Sequence, residues 1–128
     1  MSQILVDSSA WIAFFRGSIP QDAIFELIDT NQICINDLVL SEIVPSLLLR
    51  KEKGLVDTFN KIQRYPLSIN WLELISFQVK NLRKGINKVG ISDLIIMQNV
   101  IQQNLVLYTL DTHFTKMAKA FPFKIYAQ

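Results

Sequence analysis

Apolar runs and polar caps alternate along this chain in a regular order. Short unbroken apolar runs predict strands at residues 3–6, 33–35, 66–69, 105–110 and 124–127. Polar caps and glycine or asparagine stops bound predicted helices at residues 10–16, 20–31, 37–53, 55–64, 70–84, 92–104 and 112–120. Strands without in–out alternation, separated by helices, are typical of a parallel sheet covered on both faces. We therefore predict an α/β three-layer sandwich with a central parallel sheet.

Individual residues set the predicted helix ends. Ser8 or Ser9 is placed to cap the first helix, and Gly17 to stop it. Asn70 is followed three residues later by Glu73, which is the spacing of a capping box. Helix 37–53 begins at a capping Asp37 and closes at Gly54, and Pro45 within it predicts a kink or a break.

Composition narrows the class of protein. The chain has 128 residues, of which 50% are hydrophobic and 19% charged, so we expect one folded domain over residues 1–128. No apolar run approaches the length of a membrane span, and no signal peptide is visible, so a cytoplasmic location is expected. The single cysteine, Cys34, excludes an internal disulfide framework and is expected to be an inert core thiol. The net charge of +2 permits a nucleic-acid partner without requiring one.

Four acidic residues stand in apolar surroundings. Asp7 and Asp111 each follow a predicted strand, Asp93 lies in the first turn of a helix, and Glu42 lies about one turn into another. A buried carboxylate needs a compensating partner. The remaining acids lie near helix ends or among polar residues, where capping and solvation explain them: Asp22, Glu26, Asp29, Asp37, Glu52, Asp57 and Glu73.

The four acids are expected to meet at one edge of the sheet. Parallel strands place their carboxyl ends together, and ligand sites form beyond that edge. Carboxylates that converge repel one another unless a cation lies among them, and an all-oxygen set suits Mg²⁺ or Mn²⁺. A lone aspartate after a strand is more often a helix cap, so the spacing by itself leaves capping and metal binding both open.

Four ordered segments resemble a known family. They read DSSAWI at residues 7–12, SEI at 41–43, GISDLII at 90–96 and LYTLDTHF at 107–114. Together they resemble PIN-domain ribonucleases, especially the VapC-type toxins of toxin–antitoxin pairs, and the match spans nearly the whole chain. The resemblance implies a PIN-like fold and RNA cleavage with Mg²⁺ or Mn²⁺ at the carboxyl edge. It also implies site residues: metal ligands Asp7, Asp93 and Asp111, with Glu42 binding directly or through water, and Thr109 orienting a carboxylate or a water.

His113 and a group of three basic residues each allow two interpretations. His113 stands where some members of the family carry an additional acid; it is either a partly exposed helix residue or a contact for substrate phosphate. Arg83, Lys84 and Lys88 lead towards Asp93, and they are either ordinary partners of a helix C-terminus or an RNA-binding cluster.

Residues 38–50 hold more large aliphatic side chains than one packing face of a helix needs. This stretch is either deep core or an exposed apolar groove for a protein partner, and the resemblance implies that such a partner would be an antitoxin protein. A homodimer is a second expected partner, because the family tends to dimerise and the apolar content allows it.

These observations favour a metal-dependent endoribonuclease, the toxin of a toxin–antitoxin pair, which uses a metal-activated water. The alternative is a catalytically silent PIN-like module that binds RNA or protein. A phosphoacceptor receiver-like domain fits less well, because Asp7 stands alone before Ser8 and residues 105–111 contain no lysine.

Overall fold

The computed structural model describes residues 3–127, which form five strands and seven helices. The strands are β1 (Ile4–Val6), β2 (Ile33–Ile35), β3 (Gln63–Arg64), β4 (Val106–Tyr108) and β5 (Lys124–Ile125). The helices are α1 (Ser8–Phe15), α2 (Gln21–Asp29), α3 (Asp37–Leu49), α4 (Lys53–Phe59), α5 (Trp71–Arg83), α6 (Ile91–Gln102) and α7 (Thr112–Ala118).

The strands form one parallel sheet in the order β3-β2-β1-β4-β5. Strand β1 lies at its centre, where Leu5 pairs with Cys34 of β2 and with Leu107 of β4. All three of these side chains are fully buried, as expected for strands covered on both faces. The predicted α/β sandwich with a central parallel sheet is confirmed. Because β1 and β4 are neighbours, Asp7 and the turn at residues 109–111 emerge side by side.

The predicted stops of three helices are confirmed by left-handed backbone. Gly17, Asn31 and Gly85 have φ values of 75°, 57° and 74° at the ends of α1, α2 and α5. Half of the predicted capping box of α5 is present, since the Asn70 side chain accepts a hydrogen bond from the backbone N–H of Glu73. The other half is wrong, because the backbone N–H of Asn70 donates to Gln98 Oε1 instead of to the Glu73 carboxylate. Local sequence was sufficient at these positions because each device acts within a few residues.

The predicted caps of two other helices are wrong by one residue or two. Asp7, not Ser8 or Ser9, caps α1, because its carboxylate accepts from the backbone N–H of Ala10. Asn36, not Asp37, caps α3. In both places the capping residue directly follows the last residue of the strand, so the helix begins earlier than the apolar pattern suggests.

Helix α3 is shorter than predicted and is not broken. It ends at Leu49 because Lys51 takes a left-handed backbone with φ of 57°, and Gly54 lies inside α4 instead of closing α3. The helix runs through Pro45, which is exposed, without interruption.

The region between α4 and α5 departs most from expectation. The predicted helix 55–64 ends at Phe59, residues 66–69 are not a strand, and the polar pair Gln63–Arg64 forms β3 on the edge of the sheet. An exposed edge strand needs no apolar run, so no hydrophobic pattern marks it. At the other side, the predicted strand 105–110 is trimmed to β4 because Leu110 donates its backbone N–H to the Ser9 hydroxyl.

Two predictions made from the composition, on Cys34 and on membrane-spanning helices, can be compared with the structure. Burial raises the pKa of the Cys34 thiol to about 12, which makes it the inert core thiol that was expected. Within residues 3–127, none of the helices has the length and apolar character needed to cross a bilayer.

Candidate metal centre at the carboxyl edge

Asp7 is buried at the end of β1 and is held by three hydrogen bonds. Its Oδ1 accepts from the backbone N–H of Ala10 at 3.0 Å and from the Ser9 hydroxyl at 2.7 Å. Its Oδ2 accepts from the Thr109 hydroxyl at 2.5 Å. Only 3% of the residue is exposed. Asp7 therefore caps a helix and also faces the adjacent turn after β4, so capping and membership of a polar site are compatible.

The turn after β4 is organised by Thr109 and Ser9. The Thr109 hydroxyl donates to Asp7 and accepts the backbone N–H of Asp111 at 3.0 Å. The Ser9 hydroxyl accepts the backbone N–H of Leu110 at 3.0 Å. Two hydroxyls thus satisfy backbone groups that the sheet leaves unpaired, and they fix Asp111 relative to Asp7.

Asp93, Asp111 and His113 form a compact group beside that turn. Each offers one ligand atom, and the three atoms all lie within 4.8 Å of one another. Asp111 caps α7 by accepting the backbone N–H of His113 at 2.9 Å, and the same oxygen lies 3.2 Å from His113 Nδ1. The structure therefore brings two of the proposed ligands together, along with a histidine that was not proposed as a ligand.

Glu42 approaches the site from α3. Its Oε1 accepts the Ser8 hydroxyl at 2.8 Å, which ties α3 to the first turn of α1. Glu42 remains exposed, so it is the most solvated of the four acids. Its charge adds the smallest of the effects that raise the pKa of Asp93.

Burial and the repulsion between carboxylates raise the pKa values of Asp7 and Asp93. The pKa of Asp7 is raised by burial, against the lowering effect of hydrogen bonds from Thr109, Ser9 and the Ala10 backbone, with a smaller raising effect from Asp111. The pKa of Asp93 is raised by burial and then by the charge of Asp111. The two acids most withdrawn from water are thus held in a site that disfavours their ionised forms.

The donor set fits a divalent cation. Over residues 3–127 the structure has no ion pair between a lysine or arginine and any of the four acids. Hydroxyls and backbone N–H groups partly satisfy the carboxylates but do not neutralise them. Carboxylate oxygens are the ligands that Mg²⁺ and Mn²⁺ take, and a cation would relieve the repulsion.

The sequence did not single out two of the side chains that organise this site. The sequence predicts only a capping role for Ser8 or Ser9. In the structure the Ser9 hydroxyl donates to Asp7 and the Ser8 hydroxyl donates to Glu42. The position of Ser9 two residues after a strand-ending aspartate was the available signal, since Ser and Thr hydroxyls at that spacing bind nearby backbone and carboxylates. No short-range signal connects Ser8 to Glu42, which lies 34 residues away.

The basic candidates lie at the end of α5 and in the loop that precedes α6. Arg83 ends α5, Lys84 follows it as the cap, and Lys88 has a left-handed backbone with φ of 64°. All three are exposed. The loop that carries Lys88 is fastened to α5, because Gln78 Nε2 donates to the carbonyl of Val89 at 2.8 Å. The arrangement is compatible with either reading of these residues.

A groove lies beside the acidic edge, between α1 and α3. Its volume is about 530 Å³, and its lining includes Ile12, Phe15, Arg16, Glu42, Leu49 and Arg50. In helix α3, Val39, Ile43 and Leu47 are buried core, whereas Leu48 and Leu49 are 55% and 86% exposed. The apolar stretch therefore serves both packing and an open surface.

Comparisons with known proteins place the fold. A DNA-bound VapBC from Salmonella typhimurium is similar at a TM-score of 0.73 and 17% identity, over 98% of each chain. VapBC2 from Rickettsia felis, bound to a promoter DNA fragment, is similar at 0.71 and 18% identity over 95% of each chain. FitAcB from Neisseria gonorrhoeae is similar at 0.66 and 15% identity, over 98% of this chain and 97% of that one.

Identity this low establishes likeness of fold alone. No curated protein sequence matches the chain significantly. The sequence does match the family model for the PIN domain over residues 4–120, which includes the end of β1, the turn after β4 and α7. On that match the chain belongs to the PIN domain family.

Proposed function

We propose that this protein is a metal-dependent endoribonuclease and the toxin of a toxin–antitoxin pair. The observation that carries the proposal is the group of Asp93, Asp111 and His113, within 4.8 Å of one another and without a lysine or arginine counterion over residues 3–127. Asp7, Asp93 and Asp111 would hold Mg²⁺ or Mn²⁺, with Glu42 binding directly or through water. A bound ion of this kind supplies an activated water and stabilises charge on the leaving oxygen.

The protein's own groups position the carboxylates. Thr109 bridges Asp7 and the backbone of Asp111, so it sets the separation of two acids from neighbouring strands. Ser8 holds Glu42, the exposed acid, towards the same edge. Asp93 enters from the first turn of α6, where the Gly90 backbone N–H has a lowering effect on its pKa that burial outweighs. Preorganisation of this kind avoids reorganising the ligands when substrate arrives.

Product analysis tests the reaction. A single-stranded RNA incubated with the protein and Mn²⁺ is expected to yield fragments with 5′-phosphate and 3′-hydroxyl ends, and EDTA is expected to stop cleavage. Asp93→Asn is expected to abolish cleavage because it removes a ligand. Cleavage that survives in EDTA, or fragments that end in 2′,3′-cyclic phosphate, would contradict the proposal. Mn²⁺ binding with intact RNA would instead support the silent PIN-like module.

The groove between α1 and α3 is the proposed site for the antitoxin. Its apolar part is formed by Ile12, Phe15 and Leu49, and its charged part includes Arg16 and Arg50. This combination fits an amphipathic segment that inserts apolar side chains and carries acids opposite the arginines. The structural similarity to VapBC assemblies supports a partner of this class.

Two matched substitutions test that surface. The product of the adjacent reading frame is co-expressed with the chain, and complex formation is measured by calorimetry. Leu49→Asp is expected to weaken binding at least tenfold, because it puts a charge where apolar surface is buried. Ile69→Asp, also on an exposed apolar side chain but in the loop before α5, is the control and is expected to bind normally. Equal binding by both variants would refute the assignment.

A homodimer is proposed through α5. Five large apolar side chains on one side of this helix are exposed: Trp71, Leu72, Ile75, Val79 and Leu82. A two-fold interface is self-complementary, so antiparallel pairing of two α5 helices would cover the same apolar side chains on both copies. A stable dimer buries about 800 Å² on each partner, so neighbouring surface must contribute as well.

Sedimentation velocity tests the dimer. The wild-type chain is expected to sediment as a dimer at micromolar concentration, and Ile75→Asp as a monomer with unchanged circular dichroism. Leu49→Asp, which alters α3 instead, is the matched control and should remain dimeric. A monomeric wild type would overturn this assignment without affecting the proposed chemistry.

Arg83, Lys84 and Lys88 are proposed to guide RNA towards the acidic edge. The chain runs from Lys88 through Gly90 into the turn that carries Asp93, so the basic loop adjoins the site in sequence. Positive charges beside an acidic centre raise the local concentration of phosphate backbone. This role requires only exposure, which all three residues have.

A further inference from the structure

We propose that His113 is a nitrogen ligand of the bound cation and that it makes this site prefer Mn²⁺ to Mg²⁺. The inference rests on the proposed function, because it concerns the same acidic centre. It extends that function in two ways: it adds a ligand that is not a carboxylate, and it selects between the two ions that an all-oxygen set would accept.

The spacing of the donor atoms supports ligation. His113 Nδ1 lies 3.2 Å from Asp111 Oδ1, and the ligand atoms of Asp93, Asp111 and His113 lie within 4.8 Å of one another. Neighbouring ligands of one octahedral ion at about 2.1 Å lie about 3 Å apart, and opposite ligands about 4.2 Å. The three side chains are thus spaced like ligands of one ion before any ion is present.

The local structure holds His113 in place. Its backbone N–H is bound by the Asp111 carboxylate in the first turn of α7, and the following residue, Phe114, is buried in the core. The His113 side chain is 31% exposed, so it is partly ordered by its neighbours yet open to solvent. The ring is therefore positioned at the site without being enclosed.

A ring nitrogen changes which ion binds well. Mg²⁺ takes oxygen ligands almost exclusively, whereas Mn²⁺, which also favours oxygen, accepts an imidazole nitrogen more readily as one ligand of a mixed set. Replacing one oxygen of the set by nitrogen costs Mg²⁺ more than it costs Mn²⁺. The nitrogen ligand therefore strengthens the preference for Mn²⁺, and a single substitution should reduce it.

The competing explanation is that His113 only pairs with Asp111. A partly exposed His–Asp contact at a helix start is common and needs no metal. In that case a bound ion would be surrounded by oxygen alone, and His113 would lie outside its ligand shell. The two explanations differ in whether a nitrogen nucleus is coupled to the bound ion.

Pulsed electron paramagnetic resonance of bound Mn²⁺ decides between them. The chain contains 1 histidine, so in tag-free protein a histidine-type ¹⁴N coupling has a single source. We expect this coupling in the wild type and its loss in His113→Asn, which keeps an N–H donor near Asp111. Mg²⁺ titrated against the Mn²⁺ signal is expected to show that the preference for Mn²⁺ falls about tenfold in the variant.

Each outcome bears on the proposal. Mn²⁺ that binds without histidine coupling in the wild type overturns the role of His113 and leaves the nuclease proposal intact. An unchanged Mn²⁺ to Mg²⁺ preference in His113→Asn overturns the selectivity. Failure to bind Mn²⁺ at all overturns both this inference and the proposed function. The wild-type spectrum alone decides ligation, so the result does not depend on how the variant folds.

Discussion

Asp93→Asn is expected to stabilise the metal-free protein while it removes the response to metal. The carboxylate oxygens of Asp93 and Asp111 lie within 4.8 Å. Two unit charges at that distance repel by about 3.5 kcal/mol at an effective dielectric constant of about 20, and by about 0.9 kcal/mol in bulk water. Because Asp93 is half-buried and the side chain of Asp111 is 31% exposed, we take about 1–2 kcal/mol for this pair.

Part of that gain is offset. Asp93 lies in the first turn of α6, where a negative charge interacts favourably with the helix dipole by about 0.3–1 kcal/mol. The net expectation is a free energy of unfolding that is higher by about 0.5–1 kcal/mol, or about 2–4 °C in melting temperature for a chain of this size.

Thermal melts in EDTA and in Mn²⁺, at mildly alkaline pH, measure both effects. Wild type in Mn²⁺ at about 100 times its dissociation constant should gain about 2.7 kcal/mol, and Asp93→Asn should gain much less. Asp22→Asn is the matched control: Asp22 also lies in a first helical turn but is exposed and outside the acidic group. It should lose a few tenths of a kcal/mol and should not alter the metal response.

The reasoning has a clear refutation. If Asp93→Asn is less stable than wild type in EDTA, and wild type melts at the same temperature with and without Mn²⁺, then Asp93 is a structural residue at a helix start. The electrostatic picture of a site that needs a cation would then be wrong.

The remaining predictions concern the bridge, the pH dependence and the basic loop. Thr109→Val should lower the free energy of unfolding by about 2–4 kcal/mol in urea titrations, because it removes one hydrogen bond to a charged group and one to the backbone; a loss below 0.5 kcal/mol would mean that water replaces the hydroxyl. In the folded state the pKa of Asp7 and that of Asp93 are raised above their unfolded values, so the folded state holds extra protons. The free energy of unfolding in EDTA should therefore fall as pH rises from about 4 through those raised values, and melts that show a rise would contradict this. Replacing Lys84 and Lys88 by Gln should weaken RNA binding and reduce its salt slope by about 2, and an unchanged slope would exclude these residues from the RNA path.

The candidate site was accessible to sequence reasoning because parallel sheets impose a simple rule. Asp7 and Asp111 each follow an apolar strand, and strands in one parallel sheet end at the same edge. The pairing of β1 with β4 then makes them neighbours. The roles of the individual acids were harder to predict. Capping a helix and facing the site are not exclusive alternatives, because Asp7 accepts a capping hydrogen bond and also faces the site.

Contacts between segments distant in the chain explain most of the structural features that the sequence did not predict. Strand β3 is two exposed polar residues that count as a strand only because β2 lies beside them. The Ser8–Glu42 hydrogen bond and the apolar side of α5 likewise depend on how helices are arranged around the sheet. No local pattern of a few residues contains that information.

The sequence by itself determined the alternation of strands and helices, the stops at Gly17, Asn31 and Gly85, and the acids at strand ends. These features depend on backbone conformation and burial over short spans, which residue type controls directly. Only the tertiary structure decided which residue caps α1, where α3 ends, and that His113 lies among the carboxylates. Those outcomes depend on contacts between segments distant in the chain, and their energies exist only once the sheet has assembled.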